Sequence, residues 1–151
     1  MSKFRIYATS ILVPLLLGGA VGLLTSGAMD YSTLRQPPLS PPSILFPIVW
    51  TVLYILMGVS YGIVKDKSTP DDTDKLIYYF QLGVNLLWPI AFFVLKWRLF
   101  AFFWLLLLDA LVIIMLVRFY RRNKTAGLLQ IPYTVWVLFA TYLNLGIFLL
   151  N

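Results

Sequence analysis

Aromatic and amide side chains recur at helical spacing in this sequence. Trp50 and Tyr54 lie four residues apart, directly after a proline-rich loop, so they share one face of a helix. Asn85, Trp88 and Phe92 follow further along at spacings of three and four residues. Each set offers wide stacking surfaces, and the second adds a hydrogen-bonding amide, which is the chemistry of a pocket for a flat, largely apolar ligand.

A third set lies near the C-terminus, where Tyr133, Trp136, Ala140 and Leu143 fall on one helix face and Ala140 leaves space beside Trp136. Counting along the predicted helices places the tryptophans at increasing depth below the same loop, about 10 Å for the shallow ones and about 20 Å for Trp136. This asymmetry favours a cavity under the loop. The alternative is a set of interfacial aromatics below an ordinary membrane loop.

The loop over these faces, residues 26–42, is predicted to be a stiff lid. Prolines fix φ and remove backbone donors, so the segment cannot be helical. Ser43 could cap the helix that follows, and Arg35 could pair with an anionic group of a ligand at the rim. The four prolines of the lid are Pro37, Pro38, Pro41 and Pro42.

Asp109 is the only ionisable side chain near the middle of a predicted membrane-spanning segment. Burial of a carboxyl group in hydrocarbon is expensive, so such a residue is a candidate for the ligand site. The alternative is a carboxyl that is hydrogen-bonded to a neighbouring helix for packing. No basic residue lies at comparable depth to complete a proton relay.

The composition identifies an integral membrane protein that consists of one domain, residues 1–151. Sixty per cent of the residues are hydrophobic and 12% are charged, against about 25% charged in a soluble domain. Five segments are long enough to cross a bilayer, which predicts an all-α fold, a five-transmembrane-helix bundle. The segments are 6–24, 43–64, 76–95, 99–117 and 126–150.

Several classes of function lose their usual side chains. The sequence contains no His, Cys or Glu, so no metal site and no conventional acid–base or thiol catalysis are expected.

Among 12 Lys and Arg, the three on the lid side are outnumbered by the other nine, which places the N-terminus in the cytoplasm. The net charge of +6 therefore reports topology, and nucleic-acid binding is not expected. The three are Arg35, Lys96 and Arg98.

Two features predict how the helices pack. Gly18 and Gly22 lie four residues apart and would let a neighbouring helix approach closely, within the monomer or in a dimer. Pro89 interrupts the hydrogen-bond ladder of the third segment, so a kink is expected there.

Three blocks of sequence resemble the TSPO/MBR family, which comprises the translocator proteins, formerly peripheral benzodiazepine receptors, and the bacterial tryptophan-rich sensory proteins. The blocks are P-x-x-x-P-P at 37–42 with I-V-W-T-V-L-Y at 48–54, N-L-L-W-P at 85–89, and P-Y-x-x-W-x-x-F-A-T-Y-L-N at 132–144. The resemblance covers almost the whole chain. It implies five transmembrane helices, usually in a homodimer, around one pocket that the first loop closes.

The resemblance also implies ligands and site residues. Family members bind protoporphyrin IX, haem, and isoquinoline-carboxamide or benzodiazepine drugs, and some bacterial members promote light- and oxygen-dependent breakdown of protoporphyrin. Tyr31 and Trp136 match the pair tied to that breakdown. Leu39 and Leu105 depart from the family pattern, which has tryptophan at both places. The other residues that match the family pocket are Trp50, Asn85, Trp88, Phe92, Ala140 and Leu143.

The expected function is therefore a membrane receptor or sensor for tetrapyrroles, located in a bacterial cell membrane and requiring no cofactor. Metal-free protoporphyrin is the expected ligand because the chain offers no His or Cys as an axial ligand. Its propionate could pair with Arg35. The only enzyme activity that these residues would support is photo-oxidative degradation of porphyrin. The alternative is a transporter or membrane scaffold for a lipid-like or porphyrin substrate.

Overall fold

The computed structural model describes residues 2–151, and the regular structure in that range is helical throughout. Five stretches in it are long and apolar enough to cross a membrane, the fifth formed by α5 and α6 together. This confirms the all-α, five-transmembrane-helix fold. The helices are α1 (Lys3–Thr25), α2 (Leu45–Lys67), α3 (Asp72–Pro89), α4 (Arg98–Arg122), α5 (Lys124–Leu128) and α6 (Ile131–Leu150).

The bundle has two ends, which are named here by their contents. The lid end carries the loop of residues 26–42, which contains two 3₁₀ turns (Ser26–Ala28 and Tyr31–Thr33), and the C-terminal Asn151. The arginine end carries the α2–α3 turn and the arginines that close α4. Helix α1 packs against α2, whereas α4 packs against α3, α5 and α6.

Glycines set the close contact between α1 and α2. A Cβ on Gly58 would collide with the backbone of Ser10 and Ile11, and one on Gly62 would collide with the ring of Tyr7. Gly18 faces Tyr54 equally closely, so this part of the predicted small-residue packing occurs within the monomer. Gly22, by contrast, has no described atom within 4 Å of the place that a Cβ would occupy.

The predicted interruption at Pro89 takes the form of a π-helix. Residues Ile90–Val94 follow α3 directly, and Leu95 N–H donates to Ile90 O at 2.9 Å. A proline removes one donor from the ladder, and in membrane-spanning helices a local π adjustment is one way in which the freed backbone groups are satisfied.

The predicted Ser43 cap of the second helix is wrong. Helix α2 begins at Leu45, Ile44 occupies the N-cap position, and no side chain caps the helix. The backbone compensates, because Leu45 N–H donates to Pro42 O at 3.0 Å. Helix α3 has the side-chain cap instead, a capping box made by Asp71 and Asp74.

Candidate functional site

Two tyrosine hydroxyl groups hold the lid in place, one from within the lid and one from α6. Tyr31 Oη donates to Pro41 O at 2.9 Å, and Tyr142 Oη of α6 donates to Pro38 O at 2.6 Å. Burial raises the pKa of the Tyr31 phenol, which keeps it protonated as a donor. The proline segment is therefore braced internally by Tyr31 and held to α6 by Tyr142.

Charged and amide groups complete the attachment of the lid. Arg98 holds Asp30 at 2.8 and 3.0 Å, and its guanidinium lies 5.1 Å from the centre of the Phe92 ring. Arg35 exchanges two backbone hydrogen bonds with the Asn151 amide, at 3.1 and 2.8 Å. The lid is thus connected to α4, to the wall of the candidate site and to the C-terminus.

A row of aromatic rings lies directly beneath the lid, and its middle member was not among the predicted site residues. Phe46 packs edge-on against Tyr31 with ring centres 4.8 Å apart, and against Trp136 at 5.8 Å. The Trp136 indole N–H is buried without an acceptor in residues 2–151. Phe46 precedes Trp50 by four residues, so the spacing that identified Trp50 and Tyr54 could also have identified Phe46.

Deeper in the bundle the predicted residues join a hydrogen-bonded string. Tyr54 Oη donates to Asn85 Oδ1 at 2.7 Å, Asn85 Nδ2 donates to Tyr133 Oη at 2.8 Å, and Tyr133 Oη donates to Gln81 Oε1 at 2.7 Å. Trp50 covers this string, with ring centres 5.6 Å from Tyr54 and 6.3 Å from Tyr133. The partner that Asn85 requires in hydrocarbon is therefore provided by two tyrosines.

Trp88 connects the upper and lower parts of the site. Its ring stacks on Phe92 at 5.0 Å, and its indole N–H donates to Asn144 Oδ1 at 3.0 Å. Asn144 in turn donates to Arg98 O at 2.8 Å, which ties α6 to the start of α4. The ring packs against both apolar clusters of the bundle.

The structure thus distributes the predicted site residues over two adjoining clusters. Tyr31 and Phe92 belong to the upper cluster, which lies at the lid end, and Tyr54 belongs to the lower cluster, deeper in the bundle. Trp50, Trp136 and Ala140 also pack against the lower cluster. Other predicted residues lie elsewhere: Leu143 is buried on α6, and Arg35 is exposed at the rim of the lid.

Asp109 lies in the contact between α4 and α6. It accepts a hydrogen bond from Thr141 Oγ1 at 2.8 Å through Oδ2, while Oδ1 is buried with no partner in residues 2–151. A link between neighbouring helices is the packing alternative considered for this residue. No described hydrogen bond joins Asp109 to the aromatic row.

The structure shows what stands at the two positions where the sequence departs from the family pattern, one on α4 and one in the lid. Leu105 is 2% exposed in the core, whereas Trp104 turns toward α3, where its indole N–H donates to Val84 O at 2.8 Å. Leu39 has a positive φ of 70° and is 84% exposed. The exposed Leu39 has no ring to add to the row beneath the lid, and the ring of Trp104 turns away from that row toward α3.

Comparison with known proteins identifies the family to which this chain is similar. The model of the TspO/MBR family matches residues 10–150. The tryptophan-rich protein TspO of Archaeoglobus fulgidus is 38% identical over 145 residues, which cover 94% of each chain. Protein CrtK of Rhodobacter capsulatus is 35% identical over 88% of this chain and 85% of its own, and the human translocator protein is 32% identical over 78% and 72%.

Proposed function

This chain belongs to the TspO/MBR family, and on that premise we propose that it is a membrane receptor for a planar tetrapyrrole, metal-free protoporphyrin IX. The observation that carries the proposal is the aromatic row under the lid, Tyr31–Phe46–Trp136. Flat macrocycles bind between such rings because stacking provides most of their contact area. Isoquinoline-carboxamide and benzodiazepine ligands would compete for the same surfaces, in a homodimer whose N-terminus faces the cytoplasm.

Phe46 defines how the ligand would enter. Its ring occupies the space between Tyr31 and Trp136, so a macrocycle that contacts both must displace it. The displaced state would expose the Trp136 indole N–H, whose lack of an acceptor suits a propionate oxygen or an imine-type nitrogen of the macrocycle. Trp50 would form the floor, and Arg35 at the rim would hold the outer propionate.

The same arrangement would support photochemistry without a cofactor. An excited porphyrin transfers energy to molecular oxygen, and the singlet oxygen that results would take an electron from a nearby indole or phenol group and become superoxide. The indole or phenol radical would then take an electron from the macrocycle, which restores the side chain and leaves an oxidised porphyrin that reacts with oxygen. Tyr31 and Trp136 flank the proposed macrocycle site and lie within its reach. The activity would be a slow, light-driven degradation that uses oxygen as the oxidant.

Titration in the dark tests binding. Purified protein in detergent is titrated with protoporphyrin IX while tryptophan fluorescence is followed, with an isoquinoline carboxamide as competitor. Trp50→Phe and Trp136→Phe should each raise Kd about two- to tenfold, the equivalent of one lost aromatic contact. Trp97→Phe is the matched control, because Trp97 is exposed at the membrane interface and contacts only Phe100 among the aromatic rings of residues 2–151. Equal Kd values in all four proteins would refute the site.

Illumination tests the second part of the proposal. Tyr31→Phe and Trp136→Phe should slow the photobleaching of bound protoporphyrin, measured at saturation so that the affinity does not enter. Unchanged bleaching in both variants would remove the role assigned to these residues and leave binding intact.

Transport is the competing function, and one observation favours it. Helix α3 is broken at Pro89 by the π-turn, four residues from the buried Asn85, and broken helices beside polar groups are typical of transporter sites. Porphyrin flux into liposomes that contain the protein would support transport. Saturable binding without flux would support the receptor.

A further inference from the structure

Two cavities at the arginine end of the bundle share a single side chain, Arg121. The larger, of about 310 Å³, is a groove between α4, α5 and the start of α6, and the smaller, of about 190 Å³, is polar. Besides Arg121, the groove is lined by Leu116, Val117, Tyr120, Gly127, Leu128 and Ile131. The polar cavity is lined by Asp74, Arg118 and Arg122.

The local sequence explains why the groove is there. Helix α4 ends at Arg122, and the side chain of the next residue, Asn123, caps the short helix α5 by accepting from Ala126 N–H at 3.2 Å. Gly127 then lies against the backbone of Tyr120, so closely that a Cβ would collide with it. The turn leaves apolar side chains half exposed around a concave surface, as shown by Val117 at 40% and Leu128 at 46%.

The groove opens where the chain faces lipid. Its lining residues close the last turns of α4 and begin the fifth membrane-spanning stretch. At this depth the hydrocarbon of the bilayer meets the headgroups, so the apolar wall is level with acyl chains and Arg121 is level with phosphates. A volume of 310 Å³ lies at the lower end of the range for small-molecule sites, about 300–1,000 Å³.

Arg121 differs from its neighbours in its charge partners. Arg118 and Arg122 are neutralised by Asp71 and Asp74, at N–O distances between 2.8 and 3.2 Å. Arg121 makes no ion pair within residues 2–151 and is exposed. Its positive charge is therefore uncompensated at the junction of an apolar groove and an arginine-lined cavity.

We propose that this surface binds one anionic phospholipid, with an acyl chain in the groove and the phosphate on Arg121. The apolar lining accounts for the binding of an acyl chain. The uncompensated guanidinium accounts for the preference for an anionic headgroup, because Arg pairs with phosphate through two parallel hydrogen bonds. This site lies at the opposite end of the bundle from the tetrapyrrole site and is independent of it.

Native mass spectrometry of the full chain in detergent tests the proposal with two probes, dioleoyl phosphatidylglycerol and dioleoyl phosphatidylcholine, which share acyl chains and differ in charge. The wild-type chain should retain one phosphatidylglycerol in preference to phosphatidylcholine. Arg121→Gln should lower that preference about fivefold, the loss expected for one basic residue at an anionic headgroup. Because Arg121 is exposed and makes no ion pair in residues 2–151, the variant should fold normally.

Two matched controls make the test specific. Arg5→Gln removes the same charge from an exposed arginine on the same side of the membrane and should leave the preference unchanged. Leu128→Trp fills the groove and should weaken the binding of both lipids, whereas Leu138→Trp alters an equally exposed leucine on α6 outside the groove and should not. Equal retention of the two lipids by the wild-type chain, or equal losses for Arg121→Gln and Arg5→Gln, would overturn the proposal.

Discussion

The two ends of this bundle are held mainly by different kinds of bond, although one ion pair, Asp30 with Arg98, also anchors the start of the lid. At the lid end, Tyr31 and Tyr142 donate to backbone carbonyl groups, and aromatic rings meet edge to edge. At the arginine end, Asp74 is 1% exposed and accepts from Arg118 and Arg122, both at 2.8 Å. Neutral hydrogen bonds to a loop contribute about 1 kcal/mol each, whereas a buried ion pair cannot lose one partner without a large penalty.

This difference indicates that the two ends of the bundle have different structural roles. The arginine end joins the start of α3 to the end of α4 and fixes the register of the helices that form the site walls. The proline segment of the lid can open while that register is kept, because its ties to α6 and to the C-terminus are neutral hydrogen bonds that can break singly at modest cost. The ion pair between Asp30 and Arg98 keeps the start of the lid anchored. A receptor that admits a macrocycle beneath a closed lid needs both properties, and the four predictions that follow test the contrast.

The largest effect is expected for Asp74→Asn. The substitution leaves two arginines without their buried partner, so the free energy of unfolding should fall by about 3 kcal/mol. The apparent melting temperature in detergent measures it. Asp72→Asn is the control, since Asp72 is exposed and makes no ion pair in residues 2–151. Similar melting temperatures for the two variants would abolish the contrast between the ends.

Tyr133→Phe should have the next largest effect. It removes the hydroxyl that accepts from Asn85 Nδ2 and donates to Gln81 Oε1, and the loss of these partners by two buried amide atoms should cost about 2 kcal/mol. The melting temperature should fall, and protoporphyrin Kd should rise as Asn85 loses its fixed orientation. Tyr120→Phe, at a tyrosine that is 45% exposed, should change neither quantity.

Tyr142→Phe should separate opening from stability. It removes one hydrogen bond of about 1 kcal/mol between α6 and the lid, so stopped-flow association of protoporphyrin should become about fivefold faster with little change in melting temperature. Tyr7→Phe removes a tyrosine hydrogen bond at the arginine end, the 3.0 Å contact with Asp66, and should leave the association rate unchanged. If Tyr7→Phe accelerates association as much, the lid is not the barrier to entry.

The smallest effect concerns pH. The hydrogen bond from Asp74 N–H, together with Arg118 and Arg122, holds the pKa of the Asp71 carboxyl below its usual value. A group with a lowered folded pKa stabilises the fold fully above its unfolded pKa of about 3.9 and loses that contribution as the pH falls through the folded value. The melting temperature should decline below about pH 4, less steeply in Asp71→Asn. An identical decline in both proteins would assign the acid sensitivity to other groups.

Much of the candidate site was evident from helical spacing, and its omissions have physical explanations. The spacing placed Trp50 and Tyr54 on one face, and they are in contact. It did not show that Phe46 fills the space between Tyr31 and Trp136, because contacts among α2, the lid and α6 depend on how the helices approach each other. The close approach at Gly58 and Gly62 is similarly a property of the α1–α2 contact.

The sequence alone determined the membrane class, the number of spans and the break at Pro89, since these follow from hydrophobic length and from the missing N–H of proline. Tertiary structure decided which polar groups meet. It joined Asn85 to two tyrosines, Asp109 to Thr141 and Asp74 to two arginines. The physical reason is that a buried polar group must find a partner, while the identity of that partner depends on the rotation and register of neighbouring helices, which no local pattern specifies.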